Sequence, residues 1–169
     1  MQNILFGQVM QQLFELTCTF LERQSISFQH HDNSQILIEQ KSDIASWKCL
    51  FMFHPYIPQV ALYGYFPFQI PEERRPHAME LLHRCNSGLI LGNFEYDFET
   101  HEIRFKSSVD LHGQQASYVF LHTLMKSNIA AMDEYFTPIL GCLIYQMTIE
   151  DALHLQGKKT TAIPQNRRI

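Results

Sequence analysis

The chain lacks the residue groupings that announce most chemistries. Its four cysteines, Cys18, Cys49, Cys85 and Cys142, stand far apart and never form a CxxC. A redox dithiol or a cysteine-rich zinc site is therefore not spelled out. HExxH, GxGxxG and GxSxG are all missing, which removes the usual signatures of zinc peptidases, dinucleotide binders and serine hydrolases. No apolar run reaches the ~18 residues of a membrane-spanning helix. The opening MQNILFGQVMQQ has no basic leader and no cleavable apolar region, so no signal peptide is expected. Internal repeats and low-complexity segments are absent too.

What is present fits one folded domain. The chain has 169 residues, of which 46% are hydrophobic and 18% charged. That balance buries a core without disulfide or metal staples. Phe occurs 13 times and Tyr 7 times, which suits a sheet-rich core. The cysteines sit in apolar stretches, where a free thiol behaves as a small hydrophobe, and a reducing cytoplasm is the expected setting. The net charge of −4 hides an asymmetry: Lys158, Lys159, Arg167 and Arg168 lie in residues 157–169 with no acid among them. Without those four positive charges, residues 1–156 stand at −8. A body that acidic repels phosphate backbones, so nucleic acid is not an expected partner. Residues 1–156 read as a single domain and 157–169 as a flexible basic tail.

Isolated chemical candidates do not assemble. The nine histidines include the adjacent pair His30-His31, whose side chains point to opposite faces of a strand. His77 and His83 are six apart on a helix, about 240° around, so no metal site is expected. Gly157-Lys158-Lys159-Thr160 resembles the end of a phosphate loop, but Ala152 stands where its first glycine belongs. The segment also follows a helix, and Pro164 blocks the helix that the motif needs. Glu95, Asp97, Glu99 and Glu102 alternate with aromatics as the solvated face of a strand, with Arg104 and Lys106 as partners. Cys49 and Cys85 have no neighbouring sequence that marks a nucleophile. No catalytic residue, cofactor or metal ligand is expected.

Periodicity supplies the elements. Leu5, Val9, Leu13, Leu16 and Phe20 form a helical stripe over about Asn3 to Arg23. Ser25–His31 and Gln35–Lys41 read as strands joined by Asp32-Asn33-Ser34. Trp47, Cys49, Phe51 and Phe53 alternate with Lys48, Leu50, Met52 and His54 in a strand apolar on both faces. Gln59–Phe66 follows as a strand, and Pro71-Glu72-Glu73 opens a helix with Ala78, Leu81, Leu82 and Cys85 inward. Phe94, Tyr96 and Phe98 then face Ile103, Phe105, Ser107 and Val109 across a hairpin, with acids opposite bases on its other side. A long helix from about Gln115 turns Val119, Leu124, Met125, Ile129, Met132 and Phe136 inward, and Pro138 is expected to kink or restart it. Thr148 caps a last helix that runs to Leu155. The order α-β-β-β-β-α-β-β-α-α, rich in hairpins, predicts an α+β fold with an antiparallel sheet flanked by helices on one face.

Aromatic residues give the one candidate surface. Trp47, Phe51, Phe53, Tyr56, Tyr63, Tyr65, Phe66 and Phe68 cluster around two strands and their connection. A strand apolar on both faces needs two covers, and one helical layer supplies only one. The second cover is expected to be a partner, which makes these residues a candidate partner-binding or dimer surface.

Leu89-Ile90-Leu91-Gly92-Asn93-Phe94-Glu95-Tyr96-Asp97, followed by Glu102-Ile103-Arg104-Phe105-Lys106-Ser107-Ser108-Val109-Asp110, resembles the central hairpin of YbjN-type proteins, described as putative bacterial sensory transduction regulators. Ile70-Pro71-Glu72-Glu73-Arg74-Arg75 running into Cys85-Asn86 is similar to their preceding helix. Tyr135-Phe136-Thr137-Pro138 and Thr148-Ile149-Glu150-Asp151-Ala152 resemble their last two helices, so the likeness spans about residues 25 to 155. Thr100-His101 departs from it, standing where relatives often carry a glycine turn. The resemblance implies a type III secretion chaperone-like fold, α-β-β-β-α-β-β-α, with one extra short strand here. It implies no enzymatic activity and carries over no site residues. The expected function is a non-enzymatic, cytoplasmic protein-interaction or regulatory module, a homodimer with an unidentified protein partner, acting neither on membranes nor on nucleic acid. Two other readings stay open: a chaperone for an extended client segment of a secreted protein, and a small-ligand binder or enzyme that uses the aromatic region as a pocket.

Overall fold

The computed structural model describes residues 2–156 apart from Pro55 and Gly113, with side chains from Gln8 onward. The expected basic tail lies outside the described residues. Elements follow in the order α1 (Gln2–Arg23), β1 (Phe28–Asp32), β2 (Gln35–Lys41), β3 (Ser46–Phe53), β4 (Gln59–Tyr65), α2 (Arg75–Ser87), β5 (Asn93–Tyr96), β6 (Ile103–Asp110), α3 (Tyr118–Leu143) and α4 (Ile149–Leu153). This is the order the periodicity predicts. All strand pairs are antiparallel, in one six-stranded sheet ordered β1-β2-β3-β4-β6-β5.

The helices cover one face of that sheet. Alternate strand residues point under them: Ile36 and Ile38, Trp47, Cys49, Phe51 and Phe53, Val60 and Leu62, Phe94, Ile103 and Phe105. Phe14 of α1 meets Phe53 edge-on at 5.3 Å between ring centres. α3 reaches down with Asn128, whose Nδ2 donates to the carbonyls of Leu62 and Phe105 at 3.0 and 3.2 Å and to Ser107 Oγ at 3.2 Å. A fully buried amide thereby ties the long helix to β4 and β6. At the C-terminal end of α3, Arg74 donates to the carbonyls of Cys142 and Met147 at 2.6 and 3.3 Å. The Cys142 carbonyl is one of the last acceptors that α3 leaves unmet, and a guanidinium suits that negative end.

Several local expectations shift. The buried stripe of α1 is Met10, Leu13, Phe14, Thr17, Phe20 and Leu21, rotated from the predicted one, and Leu16 is only half-buried. The helix ends in a Schellman motif: Ser25 N–H donates to Glu22 O and Ile26 N–H to Leu21 O, both at 2.9 Å. Ser25 sits at φ +57°, a position that glycine usually fills. A single 3-10 turn, Glu72–Arg74, precedes α2. α3 runs on through Pro138 without restarting. Val119 points outward, 76% exposed, since the inward register of α3 starts at Leu121. Thr148 caps α4 as expected, accepting from Asp151 N–H at 3.1 Å.

Candidate functional site

Antiparallel register turns the second face of the sheet into a set of cross-strand rows. One row pairs Leu37 with Leu50 and Leu50 with Tyr63, and then Tyr63 with Lys106. The next pairs Glu39 with Lys48, while on the other side of the face Tyr65 pairs with Arg104 and Arg104 with Glu95. A third carries Gln35, Met52, Ala61 and Ser108. No described helix lies over these residues. The face is thus an apolar band, Leu37-Leu50-Tyr63, bordered by charge.

The charged border is organised rather than scattered. Arg104 Nε donates to Glu95 Oε2 at 2.9 Å and its Nη1 to Asp97 Oδ2 at 3.4 Å. Its guanidinium lies 4.8 Å from the centre of the Tyr63 ring, and Lys106 Nζ is 6.0 Å from it. Two cations therefore roof Tyr63, which is 9% exposed although no described helix covers it. Partial burial of Arg104 works against its charge, but the bond to Glu95, the Glu95 charge and the two tyrosines together outweigh it and raise its pKa. Burial also raises the Tyr65 hydroxyl above its ordinary range, against the pull of Arg104.

A wide, open trough of about 770 Å³ crosses this face, from His31 and Leu37 through Leu50 and Tyr65 to a wall made by Phe66, Pro67 and Phe68. Its floor is apolar, and Lys48, Glu39 and Glu102 stand at its sides. A surface of this shape has room for an extended or flat apolar group between charged flanks. It does not enclose a small molecule on all sides.

The eight aromatic candidates separate on the structure. Trp47, Phe51 and Phe53 are 2%, 0% and 3% exposed and form the core beneath the helices. Phe66 is also buried, stacked on Phe136 at 5.5 Å, with Phe68 half-buried against both rings. Tyr63 and Tyr65 belong to the open face. Tyr56 is 70% exposed in the β3–β4 connection, beside His54. On its second face β3 mixes half-buried Leu50 and exposed Met52 with exposed Ser46 and Lys48. Leu37 and the two tyrosines of the neighbouring strands extend the apolar part of that face around Leu50. Arg104 and Lys106 were legible as partners of acids. Their place over Tyr63 depends on the β4–β6 register, which one sequence does not encode in any short motif.

Other chemistry stays quiet. Burial pushes the Cys49 and Cys85 thiols up to about 12, so neither is a thiolate at neutral pH. Among the described residues all four cysteines are free, and no three His, Cys, Asp or Glu side chains come together to hold a metal ion. No described helix is long and apolar enough to cross a membrane.

Comparison with known proteins agrees with this architecture. No curated protein sequence matches the chain. Among solved structures, the crystal structure of YbjN, a putative transcription regulator from E. coli, superposes with a TM-score of 0.54 at 10% identity, over 70% of this chain and 84% of that one. At that identity the likeness speaks for the fold alone. The sequence model of the YbjN family, described as "Putative bacterial sensory transduction regulator", matches residues 15–140. That span runs from the middle of α1 through all six strands to the end of α3, and the chain accordingly belongs to the YbjN family.

Proposed function

We propose that this chain is a non-enzymatic protein-interaction module of the YbjN type, cytoplasmic and homodimeric, which engages a protein partner through the open face of its sheet. The observation that carries the reading is the Leu37-Leu50-Tyr63 band, which no described helix covers and which the Arg104-Glu95-Asp97 ion network borders. A central apolar patch with a polar, charged rim has the layout of a recognition surface. The protonated buried thiols and the shallow shape of the trough support binding over catalysis. Unpaired thiols fit a reducing compartment.

The test is affinity capture from native bacterial lysate with the wild-type chain, with Leu50→Glu, and with His122→Ala on the helical side as control. Leu50→Glu places a charge in the centre of the band. The reading predicts that specific co-purifying proteins are lost with Leu50→Glu and kept with the control. An unchanged set of captured proteins, with the variant folded by circular dichroism, overturns the open face as the binding surface.

A further inference from the structure

We propose that the outer edge of β1 is where this protein associates with itself, pairing antiparallel with β1 of a second copy across a two-fold axis. The inference rests on the homodimer reading above and assigns that dimer a place.

The two edges of the sheet are treated differently. At β5, Asn86 of α2 occupies the free edge: its Nδ2 donates to the Phe94 carbonyl at 3.0 Å and its Oδ1 accepts from the Phe94 N–H at 2.7 Å. No strand can add there without displacing that side chain. At β1, among the described residues, only β2 bonds the strand's backbone. Alternate N–H and C=O groups therefore face outward, ready for another strand. Two usual protections of a free edge, lysine and proline, are missing. β1 reads Phe28-Gln29-His30-His31-Asp32, with no lysine and no proline. α1 packs on the strand's inner face, through Phe14 against the His30 ring and Cys18 Sγ 3.5 Å from His30 Nε2, and leaves the edge itself clear. The one protective device is the register shift between His30 and Asp32, which limits how long the pairing can be.

A second copy suits this edge because two-fold symmetry pairs a strand with itself antiparallel. Centred on Gln29, ahead of the register shift, the pairing sets Gln29 against its own copy and Phe28 against His30. The single carboxylate of the strand then never faces its own copy, and no like charges are opposed. Two sheets become one. The open faces merge on the same side, so that the Leu37-Leu50 bands lie symmetrically about the axis and present two equivalent docking surfaces.

The test uses sedimentation velocity over a concentration series. Gln29 pairs with Leu37 and His31 lines the trough, so both lie on the open face, and both are exposed. Any in-register antiparallel pairing brings same-face residues opposite one another, so Gln29→Lys with His31→Lys sets lysine against lysine. The expected result is a wild-type dimer and a rise of about tenfold or more in the dissociation constant of the double variant, with the unfolding midpoint of its monomer unchanged. Amide exchange should also show concentration-dependent protection confined to residues 28–32. A dimer that survives both lysines but is lost in Leu50→Glu overturns the edge assignment and leaves the homodimer reading standing. A wild-type chain that is monomeric throughout the series overturns both, and leaves the partner-binding face to its own capture experiment.

Discussion

Asn86 grips Phe94 by both of its backbone polar groups, accepting from the N–H at 2.7 Å and donating to the carbonyl at 3.0 Å. One side-chain amide therefore acts as a substitute strand at the β5 edge. It also fixes the end of α2 to the start of the β5–β6 hairpin.

Replacing Asn86 with Ala should remove both bonds and leave two edge groups to water. At about 1 kcal/mol for each net hydrogen bond, the loss of stability is about 2 kcal/mol, read by urea denaturation. The same variant opens the β5 edge, so a new concentration-dependent association is expected by light scattering. A stability within a few tenths of wild type would show that the grip contributes little.

The element order was legible because each segment has a clear period and clear punctuation. Thr148 with Asp151 and the pairing of Phe94 with Phe105 are local signals that the structure keeps, whereas Phe98 is exposed in the turn after β5 and the helix expected from Pro71 begins at Arg75 behind a 3-10 turn. The faces were less legible. Trp47, Phe51 and Phe53 share one side of β3 with Cys49, and sequence alone does not say whether that side meets helices or a partner. Pairing settles it, since the β3–β4 register that sets Phe51 opposite Leu62 also sets Leu50 opposite Tyr63. Val119 was misread because it precedes Leu121 by two residues at a helix start, where the phase of the apolar stripe is poorly defined. Pro138 failed to interrupt α3 because it lies in a helix whose flanking turns are buried, with Tyr135, Ile139 and Cys142 all in the core.

Ser25 offers a stabilising substitution. It holds φ +57° at the Schellman position of α1, where a side chain costs about 1 kcal/mol relative to glycine. Ser25→Gly keeps both backbone bonds of the motif, and its gain exceeds the extra flexibility of the unfolded chain. The expected outcome is a rise in stability of about 0.5–1 kcal/mol, seen as a higher midpoint in thermal unfolding. A fall would mean that the serine hydroxyl does more than its surroundings indicate.

Gly64 and Asn128 are coupled. A Cβ on Gly64 would stand 2.7 Å from Asn128 Oδ1 and 3.2 Å from Met132 Cγ. Asn128 has little freedom to retreat, because its Nδ2 holds two strand carbonyls and Ser107. Gly64→Ala should therefore cost about 1–3 kcal/mol through overpacking. Asn128→Ala should cost about 2 kcal/mol or more, through the acceptors it abandons. The double variant should cost less than the two single losses together, since removing the amide makes room for the new methyl. A double-mutant cycle by chemical denaturation checks this, and strict additivity would mean that the two sites do not touch.

The β5–β6 turn predicts an acid dependence. Asp97 Oδ1 accepts from the N–H groups of Glu99 and Thr100 at 2.9 and 3.0 Å, and its other oxygen meets Arg104. The Thr100 and Glu99 amides, with Arg104 adding a smaller pull, hold its carboxyl below the ordinary value of 3.8. A depressed folded pKa means that the carboxylate stabilises the fold above its unfolded pKa. That contribution is lost as pH falls through the lower, folded value. Asp32, bonded to Ser34, and Asp110, bonded to His112 and Gln59, are lowered in the same direction. Stability should be flat above about pH 5 as far as these groups are concerned, and should decline as pH drops below about 4. In Asp97→Asn the amide oxygen can still accept from the turn but no longer titrates. Its stability at neutral pH should be lower, because the charge facing Arg104 is gone, and its decline in acid should be shallower. Parallel pH–stability curves for the variant and the wild type would show that Asp97 is not a source of the acid dependence.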